Sequence, residues 1–358
     1  MRMTKFLAAT ALTVLLAACG AGSEGSSADP KFGSVISFGD SLSDAGAYRA
    51  GNIAAAGGGK FTSNPGPVWI ENVAQLYGIT ITSNKVGGFG VTPVTCPKPS
   101  CTAYGQGGSR VTSQPGIGNS DSLAVNSGAQ TVPMATQIND HLAQHGGTFG
   151  SNDLIFVWGG NNDIFTWFGL TGSNIPGTTT LVTPTIATGQ VQKAAGELVS
   201  LISDKIVAKG GQYVVVLNLP DSSKTPFGTF GLPDDATRGY LSSLVNAFNK
   251  TMTDGIKAKG LNVLMIDANA AAKDEVANPA KYGFSNTSLP ACDSVKIANI
   301  TGGQVTSGTS LFCSANTLVA PGADTSYLFA DSVHPTTLGH KVISDLVKSE
   351  LLKRGWLK

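Results

Sequence analysis

Residues 35–44 read VISFGDSLSD, an apolar run that ends in a glycine and is followed by a serine. A short, near-continuous apolar run is typical of a parallel strand covered on both faces. Gly39 permits a tight turn after the run, so we expect Ser41 at the carboxyl end of a strand. Open α/β sheets bind their ligands at that edge. The stretch therefore predicts both a fold class and a candidate functional serine.

Further apolar runs indicate strands of the same kind, at residues 154–158, 213–217 and 262–266. Apolar residues recur at helical spacing over the segments 191–206, 241–256 and 336–352. Alternating strands and helices favour an α/β layered domain with a mostly parallel sheet.

Three segments rich in Gly, Ser, Thr, Asn and Pro resist regular assignment: residues 87–128, 169–188 and 278–324. Long loops in a compact domain are often functional. The segments either shape a pocket at the strand ends or are ordinary surface excursions, and the sequence favours neither.

The composition sets broad limits on the function. The chain has 358 residues, of which 41% are hydrophobic and 13% charged, and its formal net charge is +1. This length suits one large domain or two small ones. The sequence contains no basic block or arginine-rich helix, so we do not expect nucleic acid as a partner.

The first residues resemble a bacterial lipoprotein signal. Arg2 and Lys5 precede an apolar run over 6–17, which ends in LAACG with Cys19 as the candidate lipidated residue. The protein would then be exported and anchored to the cell envelope, with the outer membrane favoured. The alternative is ordinary cleavage near Ala18 and secretion. The chain is thus predicted to comprise a signal peptide over 1–18, a flexible tether over 19–32 and a folded domain over 33–358.

Four cysteines remain when Cys19 is set aside, and export permits disulfides. Four cysteines allow three pairings. Proximity in the sequence favours Cys96 with Cys101 and Cys292 with Cys313. A zinc site is disfavoured, because no cysteine pair has the two-residue spacing of a zinc knuckle.

Several short blocks carry the residue types needed for nucleophilic catalysis. A serine hydroxyl needs a base, and the base needs a partner that fixes its tautomer. Asp331 and His334 lie three residues apart, close enough for the carboxylate to orient the imidazole. The segments GGS (107–109) and GNND (160–163) offer backbone and amide donors for an oxyanion, beside the N–H of Ser41. Together these blocks indicate a serine hydrolase.

The blocks resemble the SGNH, or GDSL, hydrolase family of esterases and lipases. Residues 38–46 are similar to its first block, 107–109 to its second, 160–163 to its third and 331–335 to its fifth, and the resemblance spans about residues 33–352. It implies a flavodoxin-like three-layer α/β/α sandwich with a mostly parallel sheet. It also implies the hydrolysis of acyl esters without a metal or cofactor.

The resemblance implies a role for each site residue. Ser41 would be the nucleophile, His334 the general base and Asp331 the carboxylate that orients the base. The oxyanion hole would consist of the Ser41 N–H, the Gly108 N–H and the Asn162 side chain. The choice of Gly108 and Asn162 over their neighbours Gly107 and Asn161 rests on motif alignment alone.

Two other functions fit the same residues. An acyltransferase would use the same triad, with an alcohol in place of water as the acyl acceptor. A surface lipoprotein could instead use the fold to bind carbohydrate or lipid without catalysis, although the complete Ser–His–Asp set counts against this. We expect a small-molecule or lipid ester as substrate, membrane association through Cys19, and a monomer.

Several further histidines and aromatic residues give weaker indications of function. His141 and His145 have a spacing that could bind a metal, but a solvated helix end is favoured. For His340, packing on the closing helix is favoured over support of His334. Phe165, Trp167 and Phe168 either line an acyl pocket or belong to the core.

Overall fold

The structure, a computed structural model, describes residues 30–119, 128–175 and 177–358. The predicted signal peptide over 1–18, the lipidation site Cys19 and the tether up to residue 29 lie outside the described residues. Within the described ranges, no helix combines the length and apolar character that a bilayer span requires.

The described part of the chain forms the strands β1 (Ser34–Gly39), β2 (Lys85–Gly88), β3 (Val91–Thr95), β4 (Asp153–Trp158), β5 (Tyr213–Leu217) and β6 (Leu264–Ile266). One sheet has the order β1-β4-β5-β6, and each neighbouring pair is parallel. The four predicted strands are confirmed, although β6 begins two residues later than its apolar run. Strands β2 and β3 form a separate antiparallel pair, in a region for which the sequence predicted no regular structure.

Residues 102–104 extend the main sheet beyond β1. Ser37 donates its N–H to the Thr102 carbonyl at 3.0 Å and accepts from the Tyr104 N–H at 2.8 Å, and Ser37 and Ala103 form a parallel bridge. Because this segment is second in the chain, the spatial order of the extended sheet is 2-1-3-4-5. This is the flavodoxin-like order.

The helices of the described residues are α1 (Gly51–Ala55), α2 (Trp69–Gln75), α3 (Met134–Gln144), α4 (Asn161–Leu170), α5 (Pro184–Leu201), α6 (Pro226–Gly231), α7 (Asp235–Ala258), α8 (Ala268–Ala277), α9 (Ser294–Ile300) and α10 (Thr337–Arg354). A π-helical turn, Ile202–Ile206, continues α5. The predicted helices over 191–206, 241–256 and 336–352 are confirmed as α5 with its extension, α7 and α10.

Helices cover both faces of the sheet. Successive side chains of a strand point to opposite faces, and the parallel register places Phe38 beside Val157 rather than Phe156. Phe156 packs edge-on against Trp69 of α2, with ring centroids 5.5 Å apart, and α2 in turn contacts α10. Phe38 faces His141 of α3 on the opposite side. The predicted three-layer α/β/α sandwich is therefore confirmed.

A small second core stabilises the segment 278–324, for which the sequence predicted no regular structure. It contains α9 and the disulfide Cys292–Cys313, packed around Ile297 and Leu318. The Cys96–Cys101 disulfide closes the loop after β3. Both pairings are those that proximity in the sequence favours.

The prediction of a solvated helix end is wrong for His141. The His141 side chain is buried, its Nδ1 lies 3.2 Å from the Tyr104 hydroxyl, and its ring stacks on that of Phe149. Burial, together with the neighbouring His145, lowers the pKa of His141 to about 3. The described residues contain no group of three or more His, Cys, Asp or Glu side chains placed to hold a metal ion.

The central packing layer yields a test of the fold. Phe156 is fully buried against Trp69, so we expect Phe156→Ala to lower the free energy of unfolding by roughly 3–5 kcal/mol. The same change at Phe230, which is 64% exposed, should cost no more than about 0.5 kcal/mol. Urea denaturation followed by circular dichroism measures both. Equal losses would contradict the placement of β4 in the core.

Candidate active site

The turn after β1 presents Ser41. Ser41–Ser43 form one 3-10 turn, and Asp40 caps it, its Oδ1 accepting the Leu42 N–H at 3.1 Å. The Asp40 carboxyl is buried beside the serine, and burial raises the pKa of this group to about 7. The next α-helix begins only at Gly51. The serine is thus held by a tight, buried turn rather than by the end of a long helix.

Gly39 is required by the close approach of β4 to this turn. A Cβ at this position would lie 2.2 Å from the carbonyl oxygen of Trp158. Gln137 of α3 fixes the same peptide groups, since its Oε1 accepts the Gly39 N–H at 2.9 Å and its Nε2 donates to the Gly39 carbonyl at 2.8 Å. Gln137 was not singled out by the sequence, because its contact joins residues far apart in the chain.

The structure brings Ser41, His334 and Asp331 together. His334 Nε2 lies 2.8 Å from Ser41 Oγ. Its Nδ1 lies 2.9 and 2.8 Å from the two carboxylate oxygens of Asp331. Because the Asp331 carboxylate accepts a hydrogen bond from Nδ1–H, the proton of the neutral ring stays on Nδ1, and Nε2 is left as the acceptor for the serine hydroxyl.

Backbone donors surround the Asp331 carboxylate. Oδ2 accepts the Ser310 N–H at 2.8 Å, and Oδ1 accepts the N–H groups of Val333 and His334 at 2.9 and 2.8 Å. Burial on its own would raise the pKa of Asp331, but the His334 ring and these hydrogen bonds hold it well below its usual range. The group is therefore a carboxylate at neutral pH, as the orientation of a histidine requires.

Ser41, Gly108 and Asn162 line one cavity with His334. The Gly107 N–H is already donated to Asp44 Oδ2 at 2.9 Å. In the described part of the chain, no acceptor is bonded to the N–H of Ser41 or Gly108. The Asn162 amide donates one hydrogen to the Ser109 carbonyl at 2.9 Å, which leaves its second hydrogen for a ligand.

Gly108 needs to be a glycine for two reasons. Its φ is +81°, and a Cβ there would lie 2.0 Å from the carbonyl oxygen of Ile117. Only glycine adopts this conformation readily, so any other residue at position 108 would displace either its own N–H or the segment around Ile117.

A buried ion pair joins this backbone segment to the start of α4. Arg110 Nε lies 3.1 Å from Asp163 Oδ1, and the second Asp163 oxygen accepts the Val111 N–H at 2.9 Å. Burial raises the pKa of Asp163, while the Arg110 guanidinium acts in the opposite direction. Because Asn162 directly precedes Asp163, the pair fixes the distance between the Gly108 and Asn162 donors. The sequence did not single out Arg110.

His340 supports the far side of the His334 ring through Phe61. His340 is fully buried, its Nδ1 accepts the Trp69 N–H at 3.2 Å, and its Nε2 donates to the Phe61 carbonyl at 3.1 Å. Burial lowers the pKa of His340 to about 3, so the ring is a neutral bridge. The Phe61 ring packs 4.8 Å from the His334 ring. His340 therefore has the predicted role in helix packing, and through Phe61 it also helps to position His334.

The cavity has a volume of about 740 Å³ and is lined mainly by apolar side chains. It runs along the carboxyl edge of the sheet, from Ser41 after β1 to Ala268 after β6. Phe165 and Phe168 line it, whereas Trp167 packs against the main core. The aromatic cluster therefore serves both of the roles that the sequence left open.

The chain is similar to known proteins over most of its length. A family model for GDSL-like lipases and acylhydrolases matches residues 35–347. Esterase EstA of Pseudomonas aeruginosa is 29% identical over 373 residues, which cover 97% of this chain and 51% of EstA. The chain thus spans about half the length of that relative.

Two more distant similarities extend the comparison. A phosphatidylcholine-sterol acyltransferase of Aeromonas hydrophila is 22% identical over 351 residues, covering 88% of this chain and 89% of that protein. The structure of an extracellular lipase of Streptomyces rimosus aligns with 88% of this chain and covers 99% of the lipase chain. The sequence identity is 14% and the TM-score is 0.33.

The buried ion pair gives a test of the site's scaffold. Arg110→Met leaves the Asp163 carboxylate buried without its partner, so we expect a loss of about 3–5 kcal/mol in the free energy of unfolding. The control is Arg238→Met, whose partner Asp235 is almost fully exposed. Exposed pairs contribute about 0–1 kcal/mol. If chemical denaturation gave equal losses for the two variants, the pair would not be a structural anchor.

Proposed function

The chain belongs to the GDSL-like lipase/acylhydrolase family, and on that premise we propose that it is a carboxylic-ester hydrolase with Ser41 as its nucleophile. The observation that carries the proposal is the 2.8 Å contact between His334 Nε2 and Ser41 Oγ. A histidine at this distance from a serine, held on its other side by a carboxylate, is the arrangement that activates a hydroxyl group.

The reaction would take place in two half-reactions. His334 removes the Ser41 proton as Oγ attacks the ester carbonyl, and the Asp331 carboxylate stabilises the imidazolium that forms. The oxyanion is bound by the N–H groups of Ser41 and Gly108 and by the Asn162 amide. His334 then protonates the leaving alcohol. Water repeats the attack on the acyl-enzyme and releases the acid.

The shape of the cavity supports an ester with a substantial apolar part. Phe165, Phe168 and Phe227 contribute aromatic faces along it, and burial of apolar surface is the main source of affinity in such sites. Lipid-like or long-chain esters are therefore the proposed substrate class.

Acyl transfer is a second candidate, favoured by the similarity to the Aeromonas acyltransferase over most of both chains. The same acyl-enzyme would then be attacked by an alcohol. Product analysis with and without an added alcohol such as a sterol separates the two activities. A dominant new ester at low alcohol concentration indicates transfer, and the free acid alone indicates hydrolysis.

We also propose an exported protein. The disulfides Cys96–Cys101 and Cys292–Cys313 support an oxidising compartment, where such bonds persist. The cleavable signal over residues 1–18 and a lipid anchor on Cys19 in the outer membrane are proposals from the N-terminal sequence. Metabolic labelling with a fatty acid, compared between the wild type and Cys19→Ser, tests the anchor.

The nucleophile assignment predicts the behaviour of two neighbouring serines. Ser41→Ala should lower kcat toward an activated ester by roughly a million-fold, the order of loss when the nucleophile of a serine protease is removed, without loss of folding. Ser43 lies in the same turn, and its hydroxyl has no partner among the described residues. Ser43→Ala should therefore keep wild-type activity. Retained turnover in purified Ser41→Ala would exclude the mechanism.

The role of Asp331 in orienting His334 predicts a large but incomplete loss of activity when its charge is removed. Asp331→Asn keeps the size of the side chain but favours the wrong histidine tautomer, so we expect kcat to fall by roughly 10⁴. The exposed Asp345, which pairs with Lys341 on the surface of α10, provides the control, and Asp345→Asn should leave kcat unchanged. Similar activity of the two variants would contradict the role of Asp331.

A further inference from the structure

Glu275 is a buried acid without a charged partner in the part of the chain that the structure describes. It lies on α8 with only 5% of its surface exposed. No hydrogen bond or ion pair joins its carboxyl group to another residue of the described ranges. The adjacent Asp274 bonds to Asn278, Lys281 and Tyr282 instead. Glu275 nevertheless lines the cavity that contains Ser41.

Burial without a partner destabilises the ionised form of the Glu275 carboxyl group. Burial raises the pKa of Glu275 to about 7, with the neighbouring Asp274 acting in the same direction. The carboxyl oxygens of Glu275 are not fully enclosed, so a hydrogen-bond partner can reach them from the cavity. A substrate group can complete the missing hydrogen bond, because the carboxyl group borders the ligand cavity.

The position of Glu275 is well separated from the reacting serine. Ser41 follows β1, α8 follows β6, and these strands lie at opposite ends of the order β1-β4-β5-β6. Three inter-strand spacings of about 4.8 Å place the strand ends about 14 Å apart. An extended dodecanoyl chain is of comparable length. The strand order therefore places α8, and with it Glu275, on the side of the cavity away from Ser41, toward the remote part of a long substrate rather than its ester bond.

The helix around Glu275 leaves room for such a substrate. Ala268, Ala271 and Ala272 lie on the same helical face and also line the cavity. Ile343 and Leu346 of α10 add apolar surface. These small and apolar side chains have no hydrogen-bonding group, so a ligand in the cavity is placed to supply the partner that they lack.

We propose that Glu275 is a specificity residue that accepts esters carrying a hydroxyl group remote from the ester bond, by hydrogen bonding to that hydroxyl. The proposal rests on the hydrolase function proposed above. A hydroxyl group both donates and accepts, so it pairs with a carboxyl group in either protonation state. Lys224 and Lys273 also line the cavity, and their positive charge disfavours a cationic substrate group.

The hydroxyl group could belong to the acyl chain or to the alcohol part of the ester. The test therefore uses two matched pairs. One compares p-nitrophenyl omega-hydroxydodecanoate with p-nitrophenyl dodecanoate. The other compares omega-hydroxydodecyl acetate with dodecyl acetate. The wild-type enzyme should favour the hydroxylated member of one pair by roughly 10- to 100-fold in kcat/KM, as expected for a hydrogen bond to a charged group.

Variants of Glu275 identify the source of that preference. Glu275→Leu should abolish it and raise kcat/KM for the plain alkyl ester, because an apolar side chain replaces an unpaired acid. Glu275→Gln should keep a preference of intermediate size, since the amide still forms hydrogen bonds. Glu350 pairs with Lys353 on α10 and does not line the cavity, so Glu350→Leu should behave as wild type. Thermal unfolding confirms that each variant is folded.

The outcomes separate the two proposals. If Glu275→Leu kept the wild-type preference, or if the wild type had no preference in either pair, the specificity role would be overturned while the hydrolase function stood. Loss of activity toward every ester in folded Glu275→Leu would also overturn it, because it would show a role in the reaction itself. Hydrolysis by Ser41→Ala in the same assays would instead overturn the proposed function.

Discussion

The carboxylate of Asp331 is the group on which the geometry of the site depends. Three backbone N–H groups and the His334 ring donate to it, and they compensate for its removal from water. One of those donors is Ser310, which lies in the segment tied to the rest of the chain by the Cys292–Cys313 disulfide. The orientation of the imidazole, and hence its 2.8 Å contact with Ser41, follows from this arrangement.

The parallel sheet brings the other parts of the site to one edge. Ser41 follows β1 and Asn162 follows β4, so neighbouring strands place the proposed nucleophile and the proposed amide donor side by side. The backbone around Gly108 is then held by two buried acids, Asp44 through the Gly107 N–H and Asp163 through Arg110. The same edge continues to β6, so one cavity is lined by both Ser41 and Glu275.

The sequence predicted the features that are encoded locally. Apolar runs indicated the four strands of the main sheet, and the short blocks around Ser41, Gly108, Asn162 and His334 indicated which residues would converge. Contacts between distant segments could not be read in this way. Gln137 of α3 forms hydrogen bonds with the backbone of Gly39 in β1. The burial of His141 depends on Phe149, which follows the end of α3 and stacks on the His141 ring. Neither contact has a signature in local composition or spacing.

Covalent labelling tests the central claim most directly. A fluorophosphonate reacts with a serine that an adjacent base has activated, and peptide mass spectrometry locates the adduct. We predict a single adduct on Ser41 in the wild type and almost no labelling when His334 is replaced by alanine. An adduct on a different serine, or unchanged labelling without His334, would contradict the proposed activation of Ser41 by a carboxylate-oriented imidazole.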